Sequence, residues 1–312
     1  MGSHPYDDHR PCTFLPQLPR LSKTMSNLAK RLWIYQKERF PLGILTVTTA
    51  AVLASTFAVL EWTGYYDIPV WKYLALGLAG LSFMLHTRII DEIRDKEVDD
   101  VHHPDRPVQR GLVSIRELTV LGYANGGIFI SIHVLLDPLS GLLSAGLLLY
   151  SIVARYEVGP LAWLKPRFWL YNVAMLGQML LLQWIAYAAL TQSLNWPSAI
   201  WMHGWGIWAL TAQIEVARKC LAPDEETAYR DSYSSRVGPW GSALIVLALT
   251  LLAVWAFGAT GMPLNRGFLA AGLGILLAGA WLYARKPTRS ASKLLQLAAV
   301  IAYVLSQTAL WF

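Results

Sequence analysis

The chain has 312 residues, of which 55% are hydrophobic and 15% charged, with a formal net charge of +6. With a mean hydropathy of +0.39 it is too apolar for a soluble globular domain or a disordered chain. The positive balance is explained below by membrane topology, and no base-reading motif accompanies it, so nucleic acid is not an expected partner.

Residues 1–39 form a polar or mixed segment. Leu21, Met25, Leu28, Leu32 and Tyr35 recur at helical spacing, with Lys23, Lys30, Arg31 and Lys37 on other faces, which predicts a helix lying on the membrane surface. Residues 40–312 are expected to form a single intramembrane domain. An α-helix needs about 20 apolar residues to cross the bilayer core, and nine such runs follow: Phe40 to Trp62, Val70 to Ile90, Leu118 to Leu136, Pro138 to Tyr156, Phe168 to Leu190, Trp196 to Ile214, Val237 to Ala259, Gly267 to Ala284 and Leu294 to Phe312. The expected fold is an all-α membrane bundle of nine transmembrane helices.

Basic loops stay in the cytoplasm. Of the 26 Lys and Arg residues, all but Lys72 and Arg266 fall on one side of a nine-span topology, which predicts a cytoplasmic N terminus. Cys12 and Cys220 face that same reducing side, so no disulfide is expected. The two longest loops, after spans two and six, hold most of the acids of the chain, and a functional site is expected there, at the cytoplasmic mouth.

The first acidic stretch runs Asp91-Glu92-Ile93-Arg94-Asp95-Lys96-Glu97-Val98-Asp99. Asp91, Asp95 and Asp99 are spaced i, i+4 and i+8, so a continuing helix carries them on one face. Like charges so placed repel unless a cation sits against them. Hard oxygen ligands at this density suit Mg²⁺, which takes one or two carboxylates and completes its shell with water and substrate phosphates. The plainer alternative is a solvated helix whose acids pair with Arg88, Arg94 and Lys96. The stretch is followed by His102-His103-Pro104-Asp105-Arg106-Pro107-Val108-Gln109-Arg110-Gly111, a turn-forming loop whose arginines could clamp a diphosphate.

These residues resemble the UbiA superfamily of intramembrane prenyltransferases. Its members carry Asn-Asp, two spacers, Asp, three spacers and Asp at this place, followed by Arg-Pro and a Gly. Asp91 stands at the family's Asn and Glu92 at its first Asp, while Asp95 and Asp99 match the second and third; Arg106-Pro107 and Gly111 match the loop. The substitutions keep oxygen ligands. The resemblance implies nine spans with cytoplasmic cap segments after spans two and six, a prenyl diphosphate substrate, two Mg²⁺ ions, and Asp91, Asp95 and Asp99 as residues without which turnover is lost.

The family's second motif, a pair of aspartates four residues apart at the end of span six, has no residue-by-residue match. Glu215 stands at the end of the span, but Lys219 occupies the position four residues on and could bind a phosphate oxygen. Asp224, Glu225 and Glu226 follow. Glu215 is the first candidate for a metal ligand here and Asp224 a weaker one; an ordinary acidic helix start after Pro223 is the alternative for the three later acids. Arg94, Arg106, Arg110, Lys165, Arg167, Arg218 and Lys219 are candidate diphosphate contacts, although for Lys165 and Arg167 topology alone is an equal explanation.

Ionisation of the allylic C–O bond leaves a carbocation that aromatic faces can shelter. Trp205 and Trp208 on span six, with Tyr171 and Trp184 on span five, are candidates, while Trp196 and Trp201 read as an interfacial belt. Asn125, Asn172, Gln178 and Gln183 are expected to bond neighbouring helices, with Asn172 and Gln178 also able to orient a substrate. Capture of the cation by a second lipophilic molecule, aromatic or otherwise, makes the enzyme a prenyltransferase. Capture by the chain's own distal double bond makes it a terpene cyclase. A transporter would place ionisable residues near the bilayer midplane, whereas here they gather at helix ends.

Overall fold

The computed structural model describes residues 28–156, 163–164, 166–226 and 232–311. Among them are eleven helices: α1 Leu28–Arg39, α2 Leu42–Trp62, α3 Val70–Arg94, α4 Lys96–His102, α5 Ile115–Leu136, α6 Pro138–Tyr156, α7 Phe168–Thr191, α8 Ser198–Arg218, α9 Tyr233–Gly258, α10 Arg266–Arg285 and α11 Arg289–Thr308. Seven of them, α2, α3, α5, α6, α7, α9 and α10, are long and apolar enough to cross a membrane. The chain is an integral membrane protein.

The two other long helices, α8 and α11, coincide with the expected sixth and ninth spans but are less apolar. Their polar residues point inward. Gln213 of α8 donates to the carbonyl of Ala299 on α11 (3.4 Å) and Ser55 of α2 donates to Gln307 of α11 (2.5 Å). Hydrogen bonds between helices within a bundle contribute on the order of 1 kcal/mol each, so the polar residues that make α8 and α11 less apolar join them to the bundle. Consecutive long helices pack on one another, α11 returns to α2, and α8 also contacts α2 and α11. The ring is thus closed, with α8 drawn inward.

Helix starts follow local chemistry. Pro41, Pro69 and Pro197 precede α2, α3 and α8. Ser232 and Thr288 cap α9 and α11, so these helices begin earlier than hydropathy alone suggests. Gly238, at φ 72°, interrupts the first turns of α9 ahead of Pro239; only glycine adopts this backbone without strain. Gly206 brings α8 against the ring of Phe257 on α9 so closely that a side chain there would collide with it.

Of the stripe predicted for residues 21 to 35, Leu21 and Met25 lie outside the described residues. Within α1, Leu28 is exposed, while Tyr35 is buried beside Ile89, Val108, Leu112, Val113 and Leu118, with Leu32 against the same cluster. Burial, followed by the charge of Glu92, holds the Tyr35 phenol above its usual range. Polar pairs fasten α1 as well. Arg31 makes a bidentate contact with Glu117 (2.6 and 3.1 Å) and donates to the carbonyl of Leu112 (3.1 Å), while Glu38 pairs with Arg110 (2.6 Å). Glu117 is also the acid of the capping box that opens α5 on Ser114, so one carboxylate both starts a helix and anchors another.

Candidate active site

The acidic motif straddles the junction of α3 and α4. Asp95 leaves helical geometry (φ −88°, ψ 5°), yet the main-chain bonds from Asp95 to Asp91 (2.9 Å), Asp99 to Asp95 (2.8 Å) and His103 to Asp99 (2.8 Å) run on without a gap. The i, i+4 relation of Asp91 and Asp95 is therefore fixed by backbone. Their side chains are 34% and 40% exposed, open enough to meet a ligand. Asp99 instead is buried and paired with Arg106 of the following loop.

Glu92 sits on a different face of α3. It is 1% exposed and pairs with Arg39 of α1 (2.7 Å) and with Arg88. Its role is to hold α1 and α3 together, which differs from the expected ligand role: one residue along a helix turns the side chain about 100° away from its neighbour.

Around the open pair the structure gathers residues from three other helices. Arg155 of α6, buried, donates to Asp91 (3.1 Å) and to Gln178 of α7 (2.7 Å). Arg94 grips Asp95 through two bonds (2.6 and 2.7 Å) and donates to the Tyr171 hydroxyl (2.8 Å). Lys219, following α8, reaches Asn172 of α7 (3.3 Å), next to the Tyr171 that Arg94 reaches from α3 (2.8 Å), which brings the two acidic segments to the same end of α7. Sequence reasoning missed Arg155 as a site residue. Its only signal was to be the single charge ending an otherwise uncharged span, which topology explains equally well.

At the α8 end, Glu215 receives two bonds from Arg218 (2.8 and 2.9 Å) and lies 3.4 Å from the Lys219 ammonium. Lys219 also donates to Asn172 Oδ1 (3.3 Å), and Asn172 is oriented by its own bond to the Phe168 carbonyl (2.8 Å). Three open carboxylates, Asp91, Asp95 and Glu215, thus face four cations, Arg94, Arg155, Arg218 and Lys219. The mouth is poised for an anion.

The later acids of this segment turn elsewhere. Asp224 pairs with Arg289 of α11 (2.8 Å) and is 64% exposed. Glu225 accepts from the Ala222 amide (3.1 Å), and Glu226 accepts from Ser232 and Ser234 (both 2.5 Å). The neighbouring Cys220 is buried, which pushes its thiol up to about 12, and Ser292 donates to its carbonyl (2.6 Å). It is a packing residue, inert as a nucleophile.

Of the other expected contacts, Arg110 is engaged with Glu38, Arg167 stacks on Trp163 at 4.8 Å, and Lys165 lies outside the described residues. Asn125 bonds Ser82 and Gln183 bonds Thr56, both structural links. Trp208 donates to the Leu176 carbonyl (3.0 Å) and forms edge contacts with Trp205, which continues to Trp184 and Trp201 at 5.0–5.8 Å between ring centres. The tryptophans are one connected series between α7 and α8.

A divalent ion fits one part of this arrangement. Among the described residues no three His, Cys, Asp or Glu side chains converge, but an ion that takes its remaining ligands from water and phosphate needs only the Asp91–Asp95 pair. Glu215 is a single carboxylate with a lysine rather than an acid one turn on, and the later described acids of its segment bond elsewhere, so no pair is offered to a second ion.

The sequence profile of the UbiA prenyltransferase family matches residues 37–304. Two solved structures share the fold. A UbiA homologue from Aeropyrum pernix K1, in its apo form, superposes with a TM-score of 0.60 at 18% identity, covering 82% of this chain and 94% of that one. A digeranylgeranylglyceryl phosphate synthase does so with a TM-score of 0.53 at 12% identity, covering 90% and 99%. No curated protein matches the sequence.

Proposed function

Because the chain belongs to the UbiA prenyltransferase family, we propose that it ionises a prenyl diphosphate at the mouth formed by α3, α6, α7 and α8 and transfers the prenyl group to a lipophilic acceptor. The observation that carries this reading is the open Asp91–Asp95 pair set among Arg94, Arg155, Arg218 and Lys219, at the end of an apolar bundle. The synthase that shares the fold supports prenyl transfer as the reaction type. In the same reading all nine long helices cross the membrane and the mouth faces the cytoplasm, supported by the 24 to 2 division of basic residues.

Asp91 and Asp95 would hold Mg²⁺, which when bound neutralises the departing diphosphate. The protein's own groups do the rest. Arg94 and Arg155 would donate to the phosphate oxygens, with Tyr171 and Gln178 orienting their guanidiniums. Such charge-assisted, bidentate donors stabilise the anion most as it leaves, when its charge is greatest. The greasy tail runs inward between α7 and α8. There Trp208, Trp184 and Trp201, each part-buried, would offer faces and edges to the cation, whereas Trp205, which links them, is 41% exposed.

Incubating the purified protein with geranyl, farnesyl and geranylgeranyl diphosphates and Mg²⁺, with and without a lipophilic acceptor, tests this function. Acceptor-dependent diphosphate release with a prenylated product is expected. A cyclic hydrocarbon formed without acceptor would replace transfer by terpene cyclisation.

A further inference from the structure

The reading of the mouth as a diphosphate site underlies the next step: we infer that the end of α8 supplies fixed positive charge where a second divalent ion would otherwise be needed, so that Lys219 and Arg218 are counter-ions of the diphosphate and the site takes one metal ion per chain. Two charge balances lead there. Locally, Asp91 and Asp95 face Arg94 and Arg155, a neutral set to which a dication adds favourably. Glu215 faces Arg218 and Lys219, a set already carrying one excess positive charge. A dication there meets repulsion before it meets a ligand.

The whole mouth gives the same answer. Four cations against three carboxylates leave one positive charge, and one dication raises this to three. An alkyl diphosphate with its ionisable oxygens deprotonated carries roughly three negative charges. One ion balances the ligand, and two overshoot it.

Lys219 is also placed for the task. An ammonium has three donors. One meets Asn172 Oδ1 at 3.3 Å and another faces Glu215 at 3.4 Å, which leaves the third for a phosphate oxygen. Asn172 holds it toward α7, and the adjacent Tyr171 accepts from Arg94, so the Lys219 and Arg94 charges are both tied to the same end of α7. No other acid of the α8–α9 segment among the described residues is available to build a metal site, since Asp224, Glu225 and Glu226 are committed to Arg289, Ala222 and the serines.

The test is a count. The full chain in detergent, loaded with an unreactive farnesyl thiolodiphosphate, is titrated with Mn²⁺, and bound ions are measured by equilibrium binding and by paramagnetic resonance, which distinguishes an isolated ion from a coupled pair. One ion per chain is expected. Lys219→Asp is expected to bind two, and Lys219→Met to keep one while binding the thiolodiphosphate about tenfold more weakly, the loss of one charge-assisted contact. Two ions in the parent protein overturn the inference and leave the diphosphate reading standing. Unchanged affinity in Lys219→Met overturns the counter-ion role, and failure of the parent to bind the analogue at all overturns both. If neither variant folds, the parent count alone decides.

Discussion

The segment after α3 and the segment after α8 are both rich in acid and both reach the same mouth, yet they are built in opposite senses. After α3, two carboxylates stand one turn apart on a backbone whose helical bonds continue through the break at Asp95, and their cations are Arg94 at the end of the same helix and Arg155 of α6. After α8, a lysine stands one turn from the single carboxylate, and the remaining acids fold back onto serines, an amide and α11. The number of acids in a segment therefore says little about its chemistry. What matters is which partner each acid meets and whether that partner can leave.

Substitutions sharpen this contrast. The largest effect is expected for Asp95→Ala, with Asp91→Ala close behind: each removes half of the open pair, and turnover measured by diphosphate release should fall at least about 100-fold while the bundle stays folded. Full activity in Asp95→Ala would break the distinction between the segments. Next comes Arg155→Met, which deprives Asp91 and Gln178 of their shared partner; activity should fall about tenfold or more. Glu92→Ala acts on stability instead. Removing a buried carboxylate held by two arginines costs on the order of 3–5 kcal/mol, visible as a lowered melting temperature, with turnover per folded molecule retained. Loss of turnover in excess of unfolding would make Glu92 part of the chemistry. The smallest effect is expected for Asp224→Ala, since an exposed pair contributes about 0–1 kcal/mol; a large loss of activity there would return the α8–α9 acids to the site.

The sequence carried much of this, unevenly. Helix positions were legible because apolar runs and proline or serine starts are local signals, and the Asp91–Asp95 pair was legible because helical spacing is local too. The ion-pair reading of the motif is seen directly, since its acids pair with Arg88 and Arg94, and the part-exposed Asp91 and Asp95 leave room for the proposed ligand beside it. Glu92 and Asp224 were not legible. Their partners, Arg39 and Arg289, lie 53 and 65 residues away, and no spacing rule reaches that far. Arg155 was hidden for a different reason: at a helix end, topology supplies a sufficient cause for any basic residue and masks a second one.

Glu117 sets an order of events. Arg31 leaves the ribosome 86 residues before the carboxylate that anchors it, and α2 and α3 must be threaded into the bilayer in between. Until α5 begins to wind on Ser114, α1 can be held to α3 through Arg39 and Glu92, but Arg31 still lacks its carboxylate. Helix α1 is thus made before α3 and α5 and is fully seated only after both, so its complete set of partners reports that these helices have come together.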